Sequence, residues 1–392
     1  MDLAFGPAED AFRTEARAWL AAHVPAAPLP SLETAEGFAA HREWERTLHA
    51  GRWSVVTWPE EYGGRGASLL QRLVFEEEYH AAGAPGRVGQ NGICLLAPAL
   101  FEHGTPEQRG RVLPPMASGR TVWAQAWSEP EAGSDLANLR STAVRTGGGW
   151  LLNGVKTWSS RAAFADRAFG LFRSDPGAAR PHHGLTQLMF PLDADGVAVR
   201  PIGRLDGKPA FAELRLDDVF VPDEDVIGEP GRGWQVAMST AGEERGLTLR
   251  SPGRFSAAAA RLTDLWCAGR EAGACGEGSL RDRVADAVIG ARAYQLYAYE
   301  QVARIEAGSV PGAESSLTKV FWSELDVALH ETALDLLGPY GELSDLAPDA
   351  PAQGSWAEGY TFSLAGPLYA GTNEIQRGII AERLLGLPRG RR

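Results

Sequence analysis

The segment AWSEPEAGSDLANLRSTAVR, residues 126–145, joins two apolar stretches through a turn rich in Gly, Ser, Asp and Pro. Turns of this composition at the end of a strand direct backbone N–H groups and hydroxyls outward. An anionic or carbonyl-rich ring can dock against such a surface. On these residues alone, a hairpin loop with routine turn chemistry explains the segment equally well.

The sequence around this turn has the pattern of short β-strands. Segments rich in β-branched and aromatic residues alternate in polarity and are separated at close intervals by Gly, Asp, Asn and Pro, which is typical of an antiparallel sandwich or barrel. No strand alternates with a helix, no G-x-G-x-x-G follows a strand and no P-loop is present, so a nucleotide-binding α/β sheet is excluded. The predicted strands lie in TVWAQAWSEP, STAVRT, WLLNGVKTWSS, RAFGLFRS, GLTQLMFPL, VAVRPI and FAELRLDDVFVP.

Helical periodicity flanks this β region on both sides. We predict an N-terminal helical domain at residues 1–120, a middle β domain at 121–235 and a C-terminal helical domain at 236–392. The first helix is expected to place Phe12, Ala16, Trp19 and Leu20 on one face. Gly- and Ala-rich residues 267–279 are interpreted as a loop between two C-terminal helices.

Local signals mark several helix ends. Gly83 is a predicted C-cap, and Thr105, followed by proline, is a predicted N-cap. Ser315 or Ser316 is expected to cap the helix that Gly338 ends.

Composition excludes some classes of function. The net charge is −12 and the pI is about 5.3, which argues against a nucleic-acid partner because phosphate binding needs a basic face. No apolar run is long enough for a membrane span, and the N-terminus lacks the pattern of a signal peptide. Three cysteines without a Cys-x-x-Cys pair indicate a reducing compartment and no metal centre. We therefore expect a cytoplasmic protein.

Five segments, in matching order over nearly the whole chain, resemble motifs of the acyl-CoA dehydrogenase family. The resemblance implies an N-terminal helical bundle, a middle β-barrel or sandwich and a C-terminal helical bundle, with FAD as cofactor. The motifs are specific for the fold and for flavin binding, and less so for the substrate. They are WPEEYGGRG, AWSEPEAGSDLANLRSTAVR, LNGVKTWSSRAAFAD, GWQVAMSTAGEERG and YAGTNEIQRGIIAERLLGLPR.

The resemblance assigns flavin contacts in the β domain. Gln125, Trp127 and Ser128 are expected to contact the isoalloxazine ring, and Ser134 to help hold FAD or the CoA end of the substrate. Trp158 is expected against the flavin ring, with Ser160 two residues along the same strand face at N5 or O4. The alternative without function is a core tryptophan beside a surface serine.

The C-terminal motif is expected to complete the site. It starts on a small-residue turn and continues as a helix capped by Thr372 or Asn373, and helix N-termini attract phosphate or carbonyl groups. The resemblance places Thr372 and Glu374 on FAD and Tyr369 on the substrate. A plain capped helix is the alternative.

One catalytic residue common in the family is replaced here. Many members carry a glutamate base before the Gly-Thr of this turn, where this chain has Ala370, which retains the backbone N–H that binds the thioester oxygen. Other members carry the base before an arginine in the third domain, so we predict Glu244 as the base and Arg245 as a CoA contact. Glu243, one helical step away, is expected to face solvent. All three charges could also be ordinary surface residues.

Two further departures affect the part of the fold that serves a neighbouring subunit's FAD. The family's Arg-x-x-Phe-Gly run is absent from WCAGREAGACGEGSLRDR, and its Gln-x-x-Gly-Gly run is replaced by LDLLGPYGE. Asp335, in the second segment, would repel a pyrophosphate. The pattern resembles a branch of the family that forms mixed tetramers and handles bulky acyl groups.

The predicted activity is α,β-dehydrogenation of an acyl thioester in lipid metabolism, as in fatty acid β-oxidation. The expected partners are an acyl-CoA or acyl-carrier thioester, an external acceptor such as an electron-transfer flavoprotein, and either further copies of the chain or a related subunit in a hetero-tetramer. The alternatives are a flavin monooxygenase or oxidase of the same fold, and a structural partner subunit of an active relative.

Overall fold

The computed structural model describes residues 5–245, 251–271, 278–309 and 312–388, with the backbone alone described at residues 240–245. The chain forms two compact units that interleave along the sequence. One comprises Met1–Val24, Ser68–Ala84 and Arg245–Arg392, and is called the helical unit here. The other comprises Pro25–Ala67 and Pro85–Glu244, and is called the sheet unit. These units cut across the predicted N-terminal segment, so the boundaries at residues 120 and 235 stay predictions.

The sheet unit combines one β-sheet with four helices. Its helices are α2 (Ala35–Ala50), α4 (Ala97–His103), α5 (Pro106–Ala117) and α6 (Gly233–Arg245), the last of which ends at the unit boundary. Its strands are β1 (Trp123–Ala126), β2 (Thr142–Thr146), β3 (Gly149–Ser160), β4 (Arg167–Arg173), β5 (Leu185–Pro191), β6 (Val197–Ile202), β7 (Phe211–Pro222) and β8 (Val226–Ile227).

The strands follow the order β6-β7-β3-β2-β4-β5-β8, and β1 pairs with β4 off this path. All seven segments predicted as strands form strands, and the fold class is confirmed. Most pairs are antiparallel, but β1 runs parallel to β4, with Trp123 opposite Arg167. A parallel neighbour needs a long crossover, here through β2 and β3, so alternation within each segment could not reveal it. The two-residue β8 was too short to predict.

Side chains from the two faces of the sheet enter separate cores. One face packs with α4 and α5 around Trp123, Trp127, Leu113 and Phe169. The opposite face buries Trp150, Phe172 and Phe190 among alanines and valines of β1, β2 and β7. Strands β4 and β5, between these cores, are therefore buried on both faces, whereas buried and exposed residues alternate along much of β7.

The described residues of the helical unit form seven α-helices. They are α1 (Pro7–His23), α3 (Leu69–Ala81), α7 (Pro252–Glu271), α8 (Ser279–Glu306), α9 (Glu314–Leu337), α10 (Ser355–Ser363) and α11 (Asn373–Ile379). Phe255, Tyr294, Trp322 and Trp356 are buried in its core. In α1, Phe12, Ala16 and Leu20 are buried as predicted. Trp19, however, is half-buried and stacks on His23 with a centroid distance of 4.2 Å.

Most predicted helix ends are confirmed. Thr105 caps α5 by accepting a hydrogen bond from the Gln108 N–H, and Gly338 ends α9 with a φ of 55°. Gly83 adopts a φ of 66° directly after Ala82, the residue that caps α3.

Two predictions of helix ends were wrong. Neither Ser315 nor Ser316 caps α9, which begins at Glu314, because the Ser315 hydroxyl donates back to the Gly312 carbonyl. Residues 267–271 are helical, since α7 continues to Glu271; residues 272–277 of the predicted loop lie outside the described residues.

A charged cluster links α1 to α3 in the helical unit. Glu78 is buried and accepts hydrogen bonds from Arg13 at 2.8 Å and from Arg17 at 2.8 and 2.9 Å. Burial acts to raise the pKa of Glu78, but the hydrogen bonds of Arg17 and Arg13 outweigh it and lower that pKa below its usual value. Ionised Glu78 thus contributes to the stability of this helix pair.

Within the described ranges, no helix is long and apolar enough to cross a membrane.

We predict that Glu78→Gln lowers the free energy of unfolding by about 2 kcal/mol at pH 7, because charge-assisted hydrogen bonds are lost. A carboxylate with a lowered folded pKa stabilises above its unfolded pKa, and loses that contribution as the pH falls through the folded value. The difference from the wild type should therefore shrink below about pH 4. Urea denaturation of both proteins, at pH 7 and below about pH 4, measures the difference in the free energy of unfolding.

The matched control is Glu43→Gln, which removes an exposed ion pair with Arg46. It should change stability by less than about 0.5 kcal/mol at either pH. Equal effects of the two substitutions at pH 7 would contradict the assignment.

Candidate active site

A buried ion pair organises the predicted flavin-binding turn in the sheet unit. Lys156, in β3, is completely buried, and its Nζ donates to Glu129 Oε1 at 2.8 Å. It also donates to the carbonyls of Leu171, at 2.6 Å, and Trp127, at 3.3 Å. The ammonium thereby satisfies its three donors among residues that flank the turn.

Glu129 connects this ammonium to the far end of the turn. Its carboxylate accepts the backbone N–H groups of Arg140, at 2.6 Å, and Ser141, at 2.8 Å. The pair therefore closes the turn at both ends, from the Trp127 carbonyl to the Arg140 and Ser141 amides. The sequence prediction of a simple turn did not include this closure.

The pKa values of the pair reflect burial and mutual attraction. Burial lowers the pKa of Lys156 to about 8, although the charge and hydrogen bond of Glu129 act in the opposite direction. Burial acts to raise the pKa of Glu129, but Lys156 and the hydrogen bonds from Ser141 and Arg140 lower it below its usual value. At neutral pH the turn is held by a charged pair.

Trp158 lies on a bulge that follows Lys156. Lys156 pairs with Leu214 and Ser159 with Ala212, so β3 carries one extra residue between these positions. Trp158 has a φ of 60°, an uncommon value for an aromatic residue, and is 60% exposed. Ser160 is partly exposed while Ser159 is buried. The bulge presents a flat aromatic ring away from the core.

The bulge and the turn are joined by their backbones. The Thr157 N–H donates to the Ser128 carbonyl at 2.9 Å, immediately before Trp158. Ser128 is partly exposed and Ser134 is exposed on the turn itself. Ser128 and the Trp158 bulge are thus neighbours, and Ser160 follows at the end of β3, while the predicted contacts of all three with the flavin stay a prediction.

Two residues with predicted flavin contacts, one on β1 and one directly after it, have polar atoms without a hydrogen-bond partner among the described residues. They are Gln125 Nε2 and the indole Nε1 of Trp127, both enclosed by protein. Enclosed donors of this kind need an acceptor, from water or a ligand. They suit a carbonyl-rich ring, and an exposed tryptophan suits stacking on a planar group. The residues of the sheet unit therefore fit a flavin.

The C-terminal turn is described within the helical unit. Ala370 and Gly371 have φ values of 57° and 78°, a left-handed pair that is unfavourable for alanine. Gln376, from the helix that follows, donates its amide N–H groups to the carbonyls of Ala370, at 2.9 Å, and Gly371, at 3.2 Å. Thr372 caps α11 by accepting from the Ile375 N–H at 3.3 Å.

A second buried lysine supports this turn from α9. Lys319 donates to the Asn373 side chain at 2.7 Å and to the Pro367 carbonyl at 3.1 Å, and Ser323 donates to the same amide oxygen. Thr372 is therefore the N-cap, while Asn373, the alternative, serves as a buried anchor.

The other predicted residues near this turn have distinct settings. Tyr369 packs against the core of the helical unit, 5.8 Å from the Trp322 ring. Glu374 is exposed, and hydrogen bonds from its own backbone N–H and from Thr372 lower its pKa. Glu374 thus behaves as an acidic residue in the first turn of a capped helix. Its contact with FAD stays a prediction.

Glu244 and Arg245 are the last two residues of α6. Their side chains, and that of Glu243, lie outside the described residues, so the assignment of the base stays a prediction. Asp335, which was expected to repel a pyrophosphate, forms an ion pair with Arg283 from α8. Its charge is therefore partly neutralised within the helical unit.

Four buried polar side chains that hold the two turns were not predicted from the sequence: Lys156, Glu129, Lys319 and the neutral Gln376. Two of them carried a signal. Lys156 interrupts an otherwise apolar strand face, and Glu129 begins a turn beside a buried strand. Fully buried charges are rare unless they are paired, so each position pointed to a partner that the sequence could not identify.

Comparison with protein families is consistent with this arrangement. The acyl-CoA dehydrogenase N-terminal, middle and C-terminal domain models match residues 6–120, 124–219 and 231–385. The chain belongs to the acyl-CoA dehydrogenase family. It is therefore an oxidoreductase and a flavoprotein with FAD as its cofactor.

One curated relative and two solved structures are similar to this chain over nearly its whole length. The acyl-CoA dehydrogenase IpdE1 of Mycobacterium tuberculosis is 39% identical over 386 residues, which cover 96% of this chain and 97% of the relative. The structure titled Tcur3481-Tcur3483 steroid ACAD has a TM-score of 0.88 and 30% identity, with both chains fully covered. The ChsE4-ChsE5 complex from Mycobacterium tuberculosis has a TM-score of 0.84 and 30% identity, again over both full chains.

We predict that Trp158→Ala weakens FAD binding by up to about tenfold, because one face of the ring loses its aromatic contact. The thermal stability of the flavin-free chain should change little, since the side chain is largely exposed. Titration of flavin-free protein with FAD, followed by fluorescence, measures the affinity.

Phe220→Ala is the control for this substitution, because Phe220 is a similarly exposed aromatic residue, 51% exposed, on β7 of the same sheet. Its FAD affinity should equal that of the wild type. Unchanged affinity in Trp158→Ala would remove Trp158 from the flavin site.

Proposed function

We propose that this chain catalyses the α,β-dehydrogenation of an acyl-CoA and releases a trans 2-enoyl thioester. Bound FAD supplies the acceptor for the hydride that leaves the β carbon. The protein must remove the α proton, bind the thioester oxygen as negative charge develops on it, and exclude water.

The observation that carries the proposal is the retained turn at Ala370 and Gly371. Alanine in a left-handed conformation is strained, yet Gln376 and Lys319 hold this turn in place. The glutamate side chain that many members carry is absent here, while the turn has a defined left-handed backbone. We infer that the N–H of Ala370 donates to the thioester oxygen, a contribution typically worth about 10²- to 10³-fold in rate.

Glu244 is the proposed base. The α proton of a thioester is weakly acidic, so its base must be a carboxylate held close to the α carbon. Ala370 cannot accept a proton, and Glu244 directly precedes Arg245 at the end of α6, the position used by members that lack the C-terminal glutamate. Arg245 and Tyr369 are proposed to contact the substrate, and Ser134 the cofactor or CoA.

The proposed substrate is a steroid-derived acyl-CoA. The support is the similarity over both full chains, at 30% identity, to a structure titled as a steroid ACAD. A bulky polycyclic acyl group also agrees with the family branch indicated by the sequence. We propose a cytoplasmic reaction whose electrons pass to an external acceptor such as an electron-transfer flavoprotein.

A related subunit is proposed to complete the assembly. This chain lacks the Phe-Gly and Gly-Gly elements that serve a neighbouring subunit's FAD. Both similar structures are titled by two protein names, Tcur3481-Tcur3483 and the ChsE4-ChsE5 complex. A second subunit type would supply the adenosine-binding elements, while this chain supplies the flavin face and the base.

The function is tested by anaerobic titration of the flavin-loaded protein with acyl-CoAs. Bleaching of the visible flavin bands by a steroid-derived acyl-CoA, with weaker bleaching by a straight-chain one, is the expected result. Peroxide formation in air without an enoyl product would favour an oxidase instead. A failure of every thioester to bleach the flavin would reject dehydrogenation.

We predict that Glu244→Gln retains FAD but slows bleaching by about 10²- to 10⁴-fold, because a positioned general base contributes that much. Stopped-flow absorbance under anaerobic conditions measures the rate. Glu243→Gln is the matched control and should bleach at the wild-type rate. A normal rate in Glu244→Gln would place the base on another residue.

We predict that the chain expressed alone binds less than one FAD per subunit, and that co-expression with a related subunit restores full occupancy. The reason is the missing adenosine-binding elements. Size-exclusion chromatography with absorbance at the protein and flavin bands gives mass and stoichiometry together. A lone chain that elutes as an oligomer with one tightly bound FAD per subunit would reject the partner.

A further inference from the structure

One ammonium group in the sheet unit holds both ends of the predicted flavin-binding turn, the first directly and the second through Glu129. Lys156 binds the carbonyl of Trp127 directly, and through Glu129 it binds the amides of Arg140 and Ser141. On its own strand, the next residue, Thr157, binds the Ser128 carbonyl. The positions of the turn and of the Trp158 bulge are therefore both linked to the Lys156 side chain.

We propose that Lys156 is a positioning residue for FAD, whose ammonium sets the turn after β1 and the Trp158 bulge in the arrangement that receives the flavin ring. The proposal rests on FAD as the cofactor, and on the proposed function only for its consequence in catalysis. Lys156 does not touch the reacting atoms in this proposal; it acts through the backbone of Trp127 and Ser128.

The energetics argue for a role beyond filling the core. An apolar side chain of similar size would occupy this position at less cost, because a buried ion pair loses much of its attraction to desolvation. The lowered pKa of Lys156 is a measure of that cost. The ring of Phe172, 4.8 Å from Nζ, offsets part of it through its negative face. Only a charged donor can hold two carbonyls and a carboxylate at the same time.

The β-ladder does not by itself fix the two segments that Lys156 and Glu129 hold. The Trp158 bulge interrupts the pairing of β3 with β7 between Lys156 and Ser159, so the ladder alone does not specify where residues 157 and 158 lie. Among the described residues, the turn between β1 and β2 pairs with no strand. Irregular segments of this kind keep one geometry only where side chains over-determine it. Lys156 and Glu129 provide that constraint for both.

The experiment compares Lys156→Met with the double substitution Lys156→Met and Glu129→Gln, in the full-length chain within the assembly that binds FAD. The single substitution leaves a buried carboxylate unpaired and should lower the melting temperature. The double substitution removes both charges and should recover most of it. For both variants we expect FAD binding to weaken roughly tenfold, and the visible spectrum and circular dichroism of the bound flavin to change.

The control is Arg145→Met. Arg145 lies on β2 of the same sheet unit, after the turn, and the substitution breaks its ion pair with Asp223. It should retain the wild-type flavin spectrum and FAD affinity. The oxidised flavin is observed without substrate, so this test stands even if no acyl-CoA bleaches the protein.

Recovery of both melting temperature and FAD affinity in the double variant would show that the pair serves folding alone, and would overturn the proposal. Wild-type flavin signals in Lys156→Met would overturn it as well. If neither variant folds, the pair is needed for the fold as a whole, and the specific role is rejected too. Recovery of the melting temperature with persistently altered flavin signals supports it.

Discussion

The buried pair of Lys156 and Glu129 is the constraint on which the shape of the proposed flavin-binding turn depends. Its two members sit on different strand–turn segments, and each satisfies backbone groups that no β-ladder reaches. Without the carboxylate, the ammonium would be an uncompensated charge at the centre of the domain. With it, an exposed turn of small residues has a defined shape. The chemistry proposed for the chain needs that shape, since a flavin ring must be held against a fixed surface.

In the helical unit, too, buried polar side chains hold an irregular turn. Lys319 is also fully buried and holds the turn before α11 through Asn373 and the Pro367 carbonyl. Gln376 binds the carbonyls of the strained pair that begins at Ala370. In both units, a buried polar side chain from a regular element stabilises an irregular turn of small residues. Such turns leave room for a ligand, and their geometry comes from the supporting side chain.

The loss of the C-terminal glutamate illustrates how chemistry and geometry separate in this family. Ala370 offers no proton acceptor, but it begins a left-handed turn whose carbonyls are held by Gln376 and not by the side chain at position 370. A base can therefore be placed on another element without rebuilding the oxygen-binding backbone. Asp335 shows the converse case, since its charge was expected to act on a cofactor and is instead paired with Arg283.

The sequence by itself determined the fold class, seven of the strands and most helix ends, because these follow from local alternation, turn residues and caps. Through its resemblance to a family, it also indicated candidate flavin-binding segments. Only the tertiary structure decided which buried charges pair, how the first helices divide between the two units, and that Trp158 lies on a bulge. Lys156 and Glu129 are 27 residues apart and Lys319 and Asn373 are 54 apart. Contacts at such separations depend on how elements meet in space, which no local periodicity encodes.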